Sequence, residues 1–171
     1  ALYHAAKGHR PSASLVDTAL IPIPGSIQVV GVVGSDLQPS TGLAHKDFST
    51  YTLWGEIVAQ LTDDQDPALV EQSERDRGAP GTGLWEELIG DQPTLIMLDE
   101  VARHLRAAKA VPTTTGKSDL AEQTVAFLMS LFEFAVSRKR VVVVYTLADP
   151  QDAFGKETEE LRQELAETRR I

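Results

Sequence analysis

The sequence contains no cysteine. This absence excludes a disulfide framework and any metal site built on thiolates. Aromatic residues are also few, at 6% of the chain, although hydrophobic residues make up 42% of it. With 171 residues the chain is long enough to bury one substantial core. Together these values predict a single globular domain and not a disordered chain.

Basic residues are in the minority: 16 lysines and arginines against 25 aspartates and glutamates give a formal net charge of −9. Binding of nucleic acid over a whole domain surface needs basic side chains that neutralise phosphates, so this balance argues against it. The overall charge does not exclude a local basic patch around Arg138-Lys139-Arg140.

Long apolar runs are missing as well. None reaches the roughly 20 residues that a membrane-spanning helix needs, and the longest block, near 125–136, is interrupted by Ser130 and Glu133. The remaining apolar residues of 119–136 cover most of a helix circumference, which predicts a largely buried core helix. We therefore expect a cytoplasmic protein with no membrane segment.

The first residues indicate a truncated start. Residues 1–8 resemble the last turns of a helix with Gly8 at its C-cap, and no methionine precedes them. They lack the charged start and the cleavage site of a signal peptide. We expect a fragment cut from a longer protein.

The stretch Thr94-Leu95-Ile96-Met97-Leu98-Asp99-Glu100 predicts a buried parallel strand that runs directly into two carboxylates. Ligands of open α/β sheets bind at the carboxyl ends of the strands. Asp99 and Glu100 are therefore candidate site residues. Acidic side chains are also common at helix N-termini, so the pattern alone allows a purely structural interpretation.

Two further runs predict central strands, 27–34 and 141–147, and Thr146 falls at the carboxyl end of the second. Residues 35–50 are rich in turn formers. The predicted fold class is α/β, with strands near 27–34, 94–99 and 141–147 in a core of 1–155. The predicted helices lie near 15–20, 53–62, 66–76, 84–89, 101–110 and 119–136, and a charged helix or linker is expected at 156–171.

Two stretches have part of the pattern of a phosphate-binding loop. Gly78–Gly83 has the glycine spacing, but Leu84 and Trp85 stand where lysine and serine or threonine are needed. Gly116-Lys117-Ser118 has the terminal residues but lacks the first glycine, because Val111 occupies that position. We predict that neither stretch binds phosphate, and that Asp119 caps the following helix.

The chain resembles an AAA-like P-loop ATPase in the order of its predicted strands and in the polar residues that end the second and third of them. It is also similar to large bacterial ATPases encoded beside restriction and phage-defence genes. The resemblance covers nearly the whole chain. It rests on Ala1-Leu2-Tyr3-His4, Thr52-Leu53-Trp54-Gly55-Glu56, Leu95-Ile96-Met97-Leu98-Asp99-Glu100, Ser118-Asp119-Leu120-Ala121-Glu122-Gln123 with Ala126-Phe127-Leu128, and the run 141–147.

The resemblance implies a three-layer P-loop fold with helices on both faces of a parallel sheet. In that family Asp99 would match the Walker B aspartate that holds Mg²⁺. Glu100 would match the glutamate that orients the attacking water and contacts ATP, and Thr146 would match the polar sensor residue that helps to position that water. The arginine finger could be Arg103, Arg138 or Arg140, and His104 is either a polar neighbour of the site or a half-buried helix histidine.

The resemblance also implies that the chain starts just after the Walker A loop and lacks that loop and its strand. The expected activity is Mg²⁺-dependent ATP hydrolysis by the parent protein, in a bacterial defence or nucleic-acid-linked complex, with this fragment inactive alone. The expected partners are the rest of its own chain and a second copy bound at the exposed sheet edge. The alternatives are a non-catalytic scaffold or interaction module and, with no support from charge, a nucleic-acid motor.

Overall fold

A computed structural model describes residues 2–9 and 26–147, together with Gln163, which is helical. The helix predicted at 15–20 lies outside the described residues, and so does the one at 156–171 apart from Gln163. The predicted strand 94–99 is confirmed at both ends, whereas the flanking strands are shorter than predicted. The described elements are α1 (Leu2–Ala6), β1 (Gln28–Val33), β2 (Leu43–Ala44), β3 (Ser49–Thr50), α2 (Leu53–Leu61), a 3₁₀ helix (Pro67–Val70), α3 (Glu71–Asp76), α4 (Gly83–Leu88), β4 (Thr94–Asp99), α5 (Val101–Ala108), α6 (Leu120–Ser137) and β5 (Val141–Tyr145).

The central sheet has three strands in the order β1-β4-β5, and both pairings are parallel. Val30, Ile96 and Val143 are aligned across it. Because side chains alternate along a strand, these residues share one face with their neighbours two positions away. The predicted α/β class and parallel sheet are confirmed, and this order is compatible with a Rossmann-like or P-loop-like layout.

That face of the sheet carries the main core, to which α2, α4, α5 and α6 all contribute buried side chains. At its centre the ring of Phe127 lies 5.4 Å from that of Trp54 and 5.0 Å from that of Trp85, measured between centroids. Tilted aromatic contacts of this kind add to the burial of apolar area. The indole of Trp85 donates to the Ser130 hydroxyl at 3.2 Å.

The opposite face is covered less completely by the described residues. Tyr3 of α1 packs on Gly31, where an added Cβ would lie 2.9 Å from the tyrosine ring. Val142 and Val144 of β5 point to the same face and are 53% and 36% exposed. Helices therefore contact both faces, as predicted, but α1 reaches only the β1 side.

The two edges of the sheet differ. At the β1 edge the side-chain amide of Gln60 replaces a neighbouring strand: it accepts from the Gly31 N–H and donates to the Gly31 carbonyl, both at 2.9 Å. At the other edge, β5 pairs with β4 and has no second strand beside it among the described residues. An open edge of this kind leaves backbone donors and acceptors available.

Residues 35–50, predicted only as turns, contain the small antiparallel hairpin of β2 and β3. His45 fastens this hairpin to the body of the domain. Its Nε2 lies 3.0 Å from Glu56 of α2, and its Nδ1 lies 3.0 Å from Asp64. These partners lie outside the hairpin, so local pattern does not reveal how the hairpin is attached to the domain.

The prediction that α6 is largely buried is wrong for part of its surface. One stripe, including Phe127, Leu128 and Leu131, is buried, whereas Val136 is 89% exposed. By length and composition alone α6 could also cross a membrane. Its buried stripe accounts for that apolar composition as a core helix of this domain.

Candidate active site

Asp99 and Thr146 meet at the carboxyl ends of neighbouring strands. Asp99 is the last residue of β4, and Thr146 follows β5 directly. The Thr146 N–H continues the ladder by donating to the Leu98 carbonyl at 2.9 Å. This bond places the Thr146 hydroxyl against Asp99, to which it donates a hydrogen bond.

The Glu100 backbone closes this group. Its N–H lies 2.9 Å from Asp99 Oδ1 and 3.0 Å from Thr146 Oγ1. All three predicted site residues are therefore brought together, and each lies at a solvent-accessible position. Their side chains offer carboxylate and hydroxyl oxygens at one corner of the sheet.

Glu100 adopts a left-handed backbone conformation, with φ 51° and ψ 36°. Residues other than glycine rarely adopt this left-handed conformation, because it is unfavourable in conformational energy. It persists mainly where the surrounding structure imposes it. Here Gly34 donates to the Asp99 carbonyl at 2.7 Å. A Cβ at Gly34 would lie 2.4 Å from the Glu100 carbonyl oxygen. Only glycine allows the end of β1 to approach the turn this closely.

The Glu100 carboxylate is held by two donors. The Ser35 hydroxyl donates to it, and Arg103 Nη1 lies 3.2 Å from Oε1 and 3.1 Å from Oε2. The Ser35 hydrogen bond, followed by the hydrogen bond and charge of Arg103, lowers the pKa of Glu100 below its usual value; partial desolvation and the charge of Asp99 oppose this shift. Glu100 is therefore a carboxylate at neutral pH.

His104 lies beneath this corner and is not half-buried, as one prediction had it, but 1% exposed. Among the described residues, neither ring nitrogen has a hydrogen-bond partner. Burial lowers the pKa of His104 to about 4, so the ring is neutral at pH 7. Its Cβ lies close to Gly34. It packs beneath the turn and does not reach the carboxylates.

Neither glycine stretch takes part in the hydrogen bonds that join Asp99, Glu100 and Thr146. Gly78–Gly83 connects α3 to α4 and follows a helix, not a strand. Gly116–Ser118 lies in the loop between α5 and α6, which is closed by the bridge of Pro112 with Asp119. As predicted, Asp119 caps α6 by accepting from the Glu122 N–H at 2.9 Å.

Arg138 and Arg140, two of the three candidate finger arginines, precede β5 and therefore lie at the opposite, amino end of the sheet. Arg138 is paired there with Glu86 and with Asp91, the latter at 3.4 Å. Arg103 alone of the three lies beside the carboxylates.

Gly34 and Ser35 were not anticipated as parts of the site. Arg103 was expected near the carboxylates as a candidate arginine finger, but its pairing with Glu100 was not predicted. A signal for the first two was present, because Gly34-Ser35 follows the predicted strand 27–34. The carboxyl ends of parallel strands meet at one edge, so this pair belonged with Asp99 and Thr146.

The oxygen atoms of this cluster are of the kind that Mg²⁺ prefers as ligands. This ion prefers hard oxygen ligands and is commonly held by one or two carboxylates, with water and substrate phosphates completing its shell. Asp99 offers such a carboxylate at an accessible corner. Among the described residues, no three histidine, cysteine, aspartate or glutamate side chains are grouped to hold a metal. A cage made entirely of such side chains is thus not present in this part of the chain.

The site and sheet define an α/β domain with a cluster of polar side chains at the carboxyl ends of parallel strands. Residues 16–169 match the family model of the DUF499 N-terminal domain, and the chain belongs to this family. No curated protein and no solved structure is significantly similar to it.

Proposed function

We propose that this domain supplies the metal-binding and water-orienting residues for Mg²⁺-dependent ATP hydrolysis by the protein of which it forms part. The observation that supports this most is the meeting of Asp99, Glu100 and Thr146 at the carboxyl ends of two adjacent parallel strands. The association of the DUF499 family with large ATPase-like proteins adds support.

Each residue has a defined task in this proposal. Asp99 would hold Mg²⁺, directly or through water, and the ion would neutralise charge on the phosphates. The carboxylate of Glu100 would accept a hydrogen bond from the attacking water and so orient it. The Thr146 hydroxyl donates a hydrogen bond to Asp99 in this structure. In the proposed mechanism it would donate instead to a phosphate oxygen or to the attacking water.

In this proposal the phosphate-binding loop comes from elsewhere, because each glycine stretch lacks part of the required pattern and neither takes part in the hydrogen bonds of the site. Calorimetric titration of Mg-ATP into the 171-residue chain tests this point. We expect no binding. Clear binding would identify Gly78–Gly83 or Gly116–Ser118 as a phosphate site and overturn our assignment of both.

The decisive experiment is an ATPase assay of the full-length protein carrying Glu100→Gln. We expect kcat to fall by about 10²- to 10⁴-fold, as for loss of a general acid–base group, with nucleotide binding retained. Glu133→Gln is the matched control, because Glu133 is an exposed glutamate on α6. Unchanged hydrolysis in the Glu100 variant would refute the assignment.

A non-catalytic scaffold is the second candidate. Asp99 Oδ1 is already occupied by the Thr146 hydroxyl and the Glu100 N–H, which is also how a purely structural turn would be stabilised. In that case Glu100→Gln would leave activity and nucleotide binding of the full-length protein unchanged. Asp99→Asn gives a second comparison: in the ATPase it should raise the Mg²⁺ concentration needed for half-maximal activity.

A further inference from the structure

The contact between Arg103 and Glu100 is unusual among the surface ion pairs of this domain, because it lies inside the candidate site. Glu100 directly precedes α5, and Arg103 is on the first turn of that helix. The side chain of Arg103 is 50% exposed and that of Glu100 is 39% exposed. Ion pairs this exposed contribute little to stability. Stabilisation of the fold is therefore a weak explanation for the Arg103–Glu100 ion pair.

The backbone around Glu100 leaves only its side chain free to move. Its carbonyl accepts from the Arg103 N–H at 3.0 Å, and its N–H is bound to Asp99 and Thr146. The close approach of Gly34 prevents the turn from shifting towards β1. The position of the carboxylate is then decided by its side-chain rotamer and by the donors that contact it.

Arg103 supplies one of those donors and contacts both carboxylate oxygens through a single nitrogen, while Ser35 contacts the carboxylate from the turn that follows β1. Donors from two segments that are distant in sequence thus hold the carboxylate between them. Small misplacements of a catalytic group can lower a rate by about 10²-fold, so holding it has functional value.

We propose that Arg103 is a positioning residue for Glu100, which keeps the carboxylate in one place at the corner of the sheet and does not act as an arginine finger. This inference rests on the proposed ATPase function.

A double-mutant cycle in the full-length protein tests the inference. We expect Arg103→Gln to lower kcat on the order of 10-fold without changing KM for ATP, and Arg103→Lys to retain most activity because the charge remains. If Arg103 acts through Glu100, Arg103→Gln should cause no further loss in a Glu100→Gln background, measured by single-turnover hydrolysis.

Arg75→Gln is the matched control, because Arg75 forms a comparable exposed pair with Glu71 on α3, remote from the site. It should leave kcat unchanged. Full activity of Arg103→Gln, or additive losses in the double variant, would overturn this inference while leaving the ATPase proposal intact. Full activity of Glu100→Gln would instead overturn the ATPase proposal.

A second readout does not depend on activity. NMR relaxation of a ¹³C-labelled Glu100 side chain in this chain reports how firmly the carboxylate is held. We expect its order parameter to fall in Arg103→Gln and to stay unchanged in Arg75→Gln. An order parameter that is unaffected by Arg103→Gln would refute the positioning role.

Discussion

Replacement of Gly55 by alanine should destabilise this domain, although alanine normally favours a helix. Gly55 lies in the first turn of α2, and a Cβ there would lie 1.9 Å from Oε1 and 2.7 Å from Cδ of Glu74. That carboxylate accepts hydrogen bonds from the Thr52 hydroxyl and, at 2.9 Å, from the Tyr51 N–H. It cannot move away without breaking both.

The magnitude follows from these two bonds. Burial raises the pKa of Glu74, and the hydrogen bonds from Thr52 and Tyr51 together with the charge of Arg77 oppose that shift. Each hydrogen bond to a charged acceptor contributes about 1.5–3 kcal/mol, and alanine recovers about 1 kcal/mol of helix propensity. The Gly55→Ala variant should therefore lose about 2–5 kcal/mol of unfolding free energy.

Urea unfolding followed by circular dichroism measures this loss directly. Gly83→Ala is the control, because Gly83 begins α4 and has no atom within 4 Å of an added Cβ. That exchange should be neutral or stabilise by up to about 1 kcal/mol. In a Glu74→Ala background, Gly55→Ala should cost little. If Gly55→Ala alone were neutral or stabilising, the steric argument would be refuted.

Three further exchanges test other parts of the structure. Gly34→Ala should destabilise by about 1–3 kcal/mol and shift the Glu100 amide resonance, because the new Cβ meets backbone; an unshifted resonance would contradict the close approach. The pKa of His104 is lowered from 6.5 to about 4, so the unfolded chain binds the extra proton between these values and stability falls as pH falls. Between pH 6.5 and 5 the wild type should then lose about 1.5 kcal/mol more unfolding free energy than His104→Leu, measured by urea unfolding, and equal losses would refute this. Gln60→Ala should speed hydrogen exchange of the Gly31 amide, whereas unchanged protection would mean that the β1 edge is closed by something else.

Local pattern was sufficient for the elements whose signals lie within a few residues. The run 94–99 forms a strand of that length, since apolar residues bounded by a turn and a polar end favour one. Asp119 caps α6, and Thr52 caps α2 by accepting from the Gly55 N–H at 3.0 Å. Two candidate site residues, Asp99 and Glu100, were also recognisable, because they directly follow a buried strand.

The tertiary structure decided what depends on residues far apart in the chain. The attachment of the β2–β3 hairpin through His45, the exposure of Val136 and the use of Gln60 as an edge partner all follow from which surfaces meet. None is visible in local periodicity, which records that a side chain is apolar but not which element covers it.

The site shows the same division. The sequence placed Asp99 and Glu100 together because they are adjacent, and it placed Thr146 at the same edge through the rule that parallel strands end together. That Gly34 must lack a side chain, and that Ser35 and Arg103 hold the Glu100 carboxylate, depends on distances of a few ångströms between β1, β4 and α5. Hydrogen bonds and steric contacts act only at such distances, so they exist only once the strands and helix have packed.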